Sequence, residues 1–348
     1  MTETDYIKLA HGGGGQLTRE LVEQVILPAL GGPQRPGKLA DAAVLAAFGS
    51  AGTDGQAGRL AFTTDSYVVQ PLVFPGGDIG KLAVCGTVND LAVSGARPMA
   101  MSLALVLEEG LEIGLLRRVL ESAGRAASQA GVAIVTGDTK VVRRGEVDGM
   151  VVTTSGVGEV PPARELGFER IRQGDRIVLS GPLGLHAMAV MSCREGLSFT
   201  ADLESDCAAV NGMTEPLLEK LGQDVRFMRD PTRGGLAAAL VEIAVATGRD
   251  VEISQDAIPV NRTARAAAEM LGLDLLAAAN EGRIVAVVAA GAAGRAVDIL
   301  NKCRQADRPA VIGSVGPNAD SPLVEMLTAI GGRRIVQMPY GEELPRIC

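Results

Sequence analysis

Residues 62–96 of the 348-residue chain read FTTDSYVVQPLVFPGGDIGKLAVCGTVNDLAVSGA. The segment joins a predicted strand over 59–64, through a turn rich in Pro and Gly, to a predicted helix over 79–94. Asn89 and Asp90 interrupt a helix that is otherwise mostly small and apolar, and both have low helix propensity there. Asp90 shares one face with small residues, which would let a phosphate or a metal ion approach its carboxylate. A solvent-facing Asn-Asp pair is the alternative.

Apolar runs and helical periodicity alternate along the rest of the chain, which predicts a mixed α and β fold. The other predicted strands are 98–107, 132–136, 150–159, 176–180, 283–289 and 309–315. The other predicted helices are 15–30, 113–130, 183–195, 234–247, 261–271 and 292–305. The Gly-, Pro- and Ala-rich segment 31–58 is interpreted as a surface excursion.

Two domains are predicted from the length and from a break in the periodicity near residues 160–175. The first covers residues 1–165, and the second covers 170–335. A tail over 336–348 contains two prolines and a glycine after Met338, and we expect it to be extended and flexible.

Composition excludes several classes of function. With 33 basic and 41 acidic residues the net charge is −8, which argues against a nucleic-acid surface. Apolar runs are too short for a membrane span, and the N-terminus lacks the pattern of a signal peptide. Five cysteines with wide, irregular spacing make a disulfide framework or a zinc site improbable. A cytoplasmic location is the expectation.

Four aspartates point to a nucleotide–magnesium site without a Walker motif. Asp65 and Asp138 follow predicted strands, where open α/β sheets place ligand groups. Asp230 precedes the predicted helix 234–247, and Asp90 lies on the helix described above. Mg²⁺ prefers one or two such carboxylates together with phosphates and waters. Taken singly, each acid could instead be a cap or turn residue.

Two glycine-rich segments precede predicted helices. Gly12 to Gly15 follow His11, and their backbone amides could bind an anion at a helix N-terminus, although a flexible loop is the alternative. Gly234-Gly235, at the start of the helix after Asp230, is a second candidate anion site.

Glu281 and Cys348 are candidates for a base and a carrier. Glu281 precedes an apolar strand, where a carboxylate can have a raised pKa, but a solvated turn fits its spacing better. Cys348 is the last residue, and a terminus is expected at the surface. The terminal carboxylate of Cys348 disfavours the thiolate, so we expect the pKa of its thiol at or above the ordinary value. Such a thiol suits a carrier role. A chance terminal cysteine is the alternative, and His186 is expected to be structural.

Long motifs resemble the HypE family, the carbamoyl dehydratases of hydrogenase maturation. The matching segments are LAHGGGG, residues 62–96, LEEGL, VTGDTKVVRRG, RDPTRGGL, ANEGR and the terminal LPRIC, and they span nearly the whole chain. This family belongs to the superfamily of aminoimidazole ribonucleotide synthetase and selenophosphate synthetase. The resemblance implies an α+β, two-domain PurM-like fold. In it an N-terminal mixed sheet pairs in a homodimer, beside a C-terminal α/β sandwich.

The resemblance also implies an activity with cofactors and partners. The carbamoyltransferase HypF would load a carbamoyl group onto the terminal thiol, and ATP with Mg²⁺ would drive its dehydration to a thiocyanate. The cyano group would then pass to iron held by the HypC–HypD complex, for the [NiFe]-hydrogenase active site.

Residue roles carry over by motif. The resemblance implies Asp65, Asp90 and Asp230 as magnesium ligands, Glu281 as the base and Lys140 in stabilising phosphate charge, with Cys348 as the carrier. The implied ATP contacts are His11, Gly12, Gly13, Gly14, Lys81, Asn89, Asp138, Thr139, Thr232, Arg233, Gly234 and Gly235. Where the family has Gly-Asp-His-Gly, this chain has Gly184-Leu-His-Ala187, so no role is assigned to that motif.

Two other functions compete with this one. A sister activity such as selenophosphate synthetase would be expected to have a reactive Cys or selenocysteine near the N-terminal glycine loop, whereas the first cysteine here is Cys85. A nucleotide-binding scaffold that only docks partners would leave Lys140 and Glu281 without a chemical role.

Overall fold

The computed structural model describes residues 15–26, 42–46, 59–197, 203–340 and 347–348. Within them, two β-sheets are each covered by helices. The first sheet has five strands, in the order β1-β2-β7-β5-β6, and β3-β4 is a separate two-stranded hairpin. The elements of this first part are α1 (Gln16–Leu21), continued by a π-helical turn (Val22–Ile26), β1 (Ala43–Ala46), β2 (Arg59–Tyr67), β3 (Val73–Phe74), β4 (Gly77–Asp78), α2 (Ile79–Val93), β5 (Arg97–Glu108), α3 (Ile113–Ala130), β6 (Ala133–Val142) and β7 (Met150–Val160).

The second sheet has seven strands in the order β14-β13-β10-β12-β8-β11-β9. Its pairs are antiparallel except for β10 with β13. The elements are β8 (Arg176–Leu179), α4 (Leu185–Arg194), α5 (Asn211–Leu221), β9 (Val225–Arg229), α6 (Gly235–Thr247), β10 (Arg249–Ser254), α7 (Arg262–Leu271), β11 (Val285–Val288), α8 (Ala293–Leu300), β12 (Ala310–Asn318), β13 (Val324–Leu327) and β14 (Arg333–Val336).

Helix α2 is the central element of the molecule. The side chain of Asp78 caps it by accepting hydrogen bonds from the backbone N–H groups of Gly80 and Lys81, both at 3.0 Å. Nearly every residue is buried, because the helix packs on the first sheet, on α3 and on α5 and β9 of the second part. Small residues allow this close approach: a Cβ on Gly156 would lie 2.6 Å from Thr87.

The first sheet has one covered and one open face. Along β2, Ala61, Thr63 and Tyr67 are buried under α2, whereas the alternate residues Leu60 and Phe62 are exposed. Strand β6, at the edge, is exposed along almost its whole length. The described part of the chain therefore leaves this face and this edge uncovered.

Several predicted boundaries are wrong. Strand β2 continues to Tyr67 and β6 to Val142, so Asp65 and Asp138 lie within strands rather than after them. These polar residues remain in the ladder because their side chains are partly or fully exposed, which a strand tolerates. The predicted excursion 31–58 contains β1, paired antiparallel with β2. The predicted helix 292–305 ends at Leu300.

Five elements of the second part were absent from the prediction: α5, β9, β10, β13 and β14. Helix α5 contains Pro216, which weakened its helical pattern, and the four strands have only four to six residues each. No helix in the described ranges is long and apolar enough to cross a membrane.

Candidate active site

A cavity of about 330 Å³ lies between the two parts of the molecule. The first part contributes Asp65 and Asp90 to its wall, and the second contributes Asp230 and Glu281. The terminal residue, Cys348, lines the same cavity. Residues separated by almost the whole length of the sequence are thus brought together by the packing of α2 against both parts.

Hydrogen bonds orient the two carboxylates from the first part. Thr63 donates its hydroxyl to Asp90 Oδ2 at 2.7 Å, and Tyr67 donates its hydroxyl to Asp65 Oδ2 at 3.2 Å. Burial raises the pKa of Asp65, and the charge of Arg233 partly opposes this. Gly86 makes room for the phenol, because a Cβ there would lie 2.1 Å from the Tyr67 oxygen.

The segment before α6 places a cation against these acids. Arg233 Nη2 lies 3.7 Å from Asp65 Oδ1, and electrostatic interaction with Cys348, and after it with Asp65, raises its pKa. Gly234 and Gly235 have φ values of 75° and 61°, in the left-handed region that favours glycine. A side chain on Gly235 would also meet the Leu276 carbonyl oxygen at 2.5 Å. The Gly-Gly pair is therefore required by backbone conformation and packing.

Glu281 is the most unusual group in the cavity. The residue is 2% exposed, and its Oε1 has no hydrogen-bond partner in the described structure. Burial, and after it the charges of Asp230 and Asp206, raise the pKa of Glu281 well above its ordinary value, against the opposing charge of Arg233. The interpretation of Glu281 as a solvated turn is therefore wrong. A carboxyl group in this environment has the properties of a general base or acid.

The end of the chain is seated in the protein. Ile347 is 5% exposed and belongs to an apolar cluster formed by residues of both parts, and Cys348 packs against that cluster. An oxygen of the terminal carboxylate of Cys348 accepts a hydrogen bond from the Val68 N–H at 3.4 Å. The terminus was expected at the surface; Cys348 is half-buried, and the buried side chain of Ile347 anchors it. Burial raises the pKa of the Cys348 thiol to about 12, with Arg233 opposing.

Other predicted site residues lie away from the cavity within one chain. Asp138, Thr139 and Lys140 are on the exposed edge strand β6, where Lys140 Nζ lies 3.3 Å from Asp138 Oδ2. Lys81 donates to the carbonyl of Gly76 at 2.8 Å. The predicted contacts His11, Gly12, Gly13 and Gly14 lie outside the described residues.

Asn89 is held by protein groups on both sides of its amide. Its Nδ2 donates to the carbonyls of Glu281 at 3.1 Å and Ala208 at 3.2 Å, and its Oδ1 accepts from the Val210 N–H at 2.8 Å. The structure therefore places Asn89 behind the cavity, where it fixes the backbone of Glu281. No local sequence pattern indicates this contact, which joins residues 192 positions apart.

The carboxylates fit a magnesium ion that is shared with phosphate. In the described part of the chain, no three acidic, His or Cys side chains are arranged to hold a metal ion alone. Mg²⁺ ordinarily needs only one or two carboxylates, since phosphates and waters complete its shell. Asp65, Asp90 and Asp230 line one cavity, and burial already raises the pKa of Asp65. A cation there would relieve the charge that burial makes costly.

Comparison with known proteins identifies the family. The model of the AIR synthase related protein N-terminal domain matches residues 39–160, and that of its C-terminal domain matches 172–323. The carbamoyl dehydratase HypE of Rhodobacter capsulatus is 48% identical over 345 residues, which cover 98% of each chain. The chain belongs to the HypE family of carbamoyl dehydratases. The family predicted from the motifs is therefore confirmed.

Solved HypE structures have the same architecture. A HypE chain from a crystal structure of a HypE–HypF complex has a TM-score of 0.82 at 39% identity, covering 92% of this chain and 99% of that one. A HypE structure in complex with ATP has a TM-score of 0.80 at 42% identity, covering 97% and 98%. These likenesses confirm the predicted α+β, two-domain fold.

Proposed function

We propose that this chain is an ATP-dependent carbamoyl dehydratase of hydrogenase maturation, which converts an S-carbamoyl group on Cys348 into a thiocyanate. One observation carries the proposal: the terminal thiol lines the same cavity as Asp65, Asp90, Asp230 and Glu281. A group carried on that sulfur would already lie among the residues suited to binding phosphate and moving protons. Holding the reacting groups close together in this way can lower a reaction barrier substantially.

The reaction balances as two steps. The carbamoyl oxygen attacks the γ-phosphorus of ATP, ADP leaves, and one N–H proton is lost. The C–O bond then breaks, phosphate leaves with that oxygen, and loss of the second N–H proton completes the C≡N bond. Phosphorylation turns a poor leaving group into a good one, and a base must accept the protons.

Glu281 is the base in this scheme. Its buried Oε1 has no partner within the described residues, so it is available to an N–H group on Cys348. Burial, and after it the neighbouring acids, raises the pKa of Glu281 in the direction of neutral pH, where a general base works best. Arg233, beside both Cys348 and Asp65, can stabilise developing negative charge.

A bound Mg²⁺ would neutralise phosphate charge, and Asp65, Asp90 and Asp230 would hold it. Asp65→Asn should raise the Mg²⁺ concentration needed for ATP binding by about tenfold or more. Calorimetric titration of ATP at several Mg²⁺ concentrations measures this. Unchanged magnesium dependence would remove Asp65 from the ligand set.

The decisive test uses the mass of the intact protein. The chain is incubated with ATP, carbamoyl phosphate and the carbamoyltransferase HypF, which a HypE relative binds in a solved complex. The expected result is gain of a carbamoyl group followed by loss of one water, both mapped to Cys348. Cys348→Ala should abolish both changes, whereas Cys193→Ala, at an exposed cysteine, should keep them. Modification that persists in Cys348→Ala would refute the carrier role.

We also propose that the chain is a homodimer joined through the open face of the first sheet. Phe62 is 44% exposed on that face, and Val135 and Val141, on the edge strand, are 65% and 69% exposed. Pairing would bring Lys140 and Asp138 into an interface, where they could reach the partner's cavity. Phe62→Asp should shift the mass in light scattering to a monomer. Ile330→Asp, at a 96% exposed position of the second part, should not.

The cyano group needs an acceptor after the reaction. Family membership supports the iron scaffold complex HypC–HypD in this role, since the relatives are hydrogenase maturation proteins. Transfer of labelled cyanide from the thiocyanate form to that complex tests it. Retention of the label on Cys348 in the presence of HypC–HypD would exclude this acceptor.

A further inference from the structure

A buried histidine contacts the docked terminus. His186, in α4, has no exposed surface. Its Nε2 lies 2.7 Å from the carbonyl oxygen of Ile347, and its Nδ1 lies 2.8 Å from the hydroxyl of Ser205. The ring of Phe74 meets the imidazole edge-on, with centroids 5.3 Å apart. Both ring nitrogens are therefore engaged, and the plane of the ring is fixed.

The partners determine where the proton sits. A carbonyl oxygen only accepts, so Nε2 carries the hydrogen and donates to Ile347. Nδ1 then accepts from the Ser205 hydroxyl, whose oxygen in turn accepts from the Cys207 N–H at 3.0 Å. Burial lowers the pKa of His186, which favours this neutral form. The Ile347 carbonyl thus sets the tautomer, and the Ser205 hydroxyl satisfies and orients the other ring nitrogen.

We propose that His186, oriented by Ser205, is the positioning residue that latches the peptide of Ile347 and thereby holds Cys348 in the cavity. The inference rests on the proposed function, because it concerns the delivery of the carrier thiol. His186 acts through the backbone of the terminus and does not touch the reacting atoms. The latch and the apolar seat of Ile347 work together to keep the sulfur in place.

The same short segment supports the base. Asp206 Oδ1 accepts from the Glu281 N–H at 3.2 Å, and the Ala208 N–H donates to the Glu281 carbonyl at 3.3 Å. Asp206 and Ala208 follow Ser205 by one and three residues. The segment 205–208 therefore contacts both His186, which holds the terminus, and the backbone of Glu281. Loss of the latch should thus slow the reaction without changing ATP binding.

Alkylation of Cys348 tests the latch directly. The full chain, without ATP, is treated with iodoacetamide, and the rate at Cys348 is divided by the rate at exposed Cys193 in peptide mass spectra. Ser205→Ala should raise this ratio about fivefold, the effect of losing one hydrogen bond. His186→Phe, which keeps a ring but removes the donor, should raise it at least as much. His186→Gln, whose amide can still donate to Ile347, should stay within about twofold of the wild type.

Buried Cys85 and Cys207 report on folding in the same spectra. If Cys85 and Cys207 become reactive in His186→Phe, that variant is unfolded, and the milder substitution Ser205→Ala serves as the test. An unchanged ratio in a folded Ser205→Ala protein, or a His186→Gln protein as reactive as His186→Phe, would overturn the proposal. The assay needs no turnover, so a chain that alkylates as expected but never forms thiocyanate would refute the proposed function and leave the latch standing.

Discussion

Glu281→Gln should make the ATP- and magnesium-free protein more stable at pH 8 while abolishing thiocyanate formation. Glutamine keeps the shape of the side chain and removes a charge that Arg233 compensates only in part. Glu281 is 2% exposed, its Oε1 has no partner in the described structure, and Asp230 and Asp206 repel its charge. A buried polar group without a partner costs about 1–3 kcal/mol, and more when it is charged.

The sign of the pH dependence follows from the raised pKa of Glu281. An acid with a raised pKa binds its proton more tightly in the folded state than in the unfolded state. The destabilisation caused by ionised Glu281 is absent below its pKa in the unfolded state. It grows as the pH rises toward the pKa in the folded state and is constant above that value. The stability advantage of Glu281→Gln should therefore be close to zero near pH 4 and reach about 1–3 kcal/mol at pH 8.

Urea unfolding in the presence of EDTA measures this difference. The chain has no Trp, so far-UV circular dichroism is the suitable signal. Glu242→Gln is the matched control, because Glu242 lines the same cavity but lies 2.8 Å from Arg229. That variant loses an ion pair and should be destabilised at pH 8. Parallel stability curves for wild type and Glu281→Gln between pH 5 and pH 8 would show that Glu281 ionises without cost, and the reasoning would fail.

Two further substitutions, each with a control variant, test the packing around the site. Gly86→Ala should cost about 1–3 kcal/mol in urea unfolding, since its Cβ would lie 2.1 Å from the Tyr67 hydroxyl. Gly114→Ala, with open space around the helix position, should be neutral or stabilising. Ile347→Ala removes three buried carbons, about 2.4 kcal/mol, and should raise Cys348 alkylation about 60-fold. Ile347→Val, with one carbon less, should raise it only about fourfold.

The strongest sequence predictions concern elements whose pattern is local. The predicted helix 79–94 is α2 (Ile79–Val93), and the predicted helix 113–130 is α3 with the same bounds. Asp78 caps the first, and Gly131 ends the second with a φ of 72°. Such signals lie within a few residues of the boundary that they set. The short strands β13 and β14 carry no comparable signal, because their stability comes from neighbours elsewhere in the sheet.

The cavity depends on contacts that no local pattern contains. Asp65, Asp90, Asp230 and Glu281 could each have been a cap or turn residue, and their convergence follows from the packing of both parts against α2. The motif resemblance supplied that information, because related chains fold alike. It could not supply the hydrogen bond from His186 to Ile347, since the surrounding motif departs from the family pattern.

The cavity that holds Cys348 disfavours its thiolate but not its uncharged forms. Burial and the neighbouring acids Glu281, Asp65 and Asp230 raise the pKa of the thiol to about 12, so the seat disfavours the thiolate. The thiolate is the nucleophile that must accept a carbamoyl group, and it forms more readily in water than in this cavity. A thiocarbamate and a thiocyanate are both uncharged, and the seat imposes no such cost on them. Carbamoylation of the thiol is therefore favoured when the terminus is outside the cavity, and dehydration of the thiocarbamate when it is inside. The electrostatics of one site can in this way set the order of the two steps.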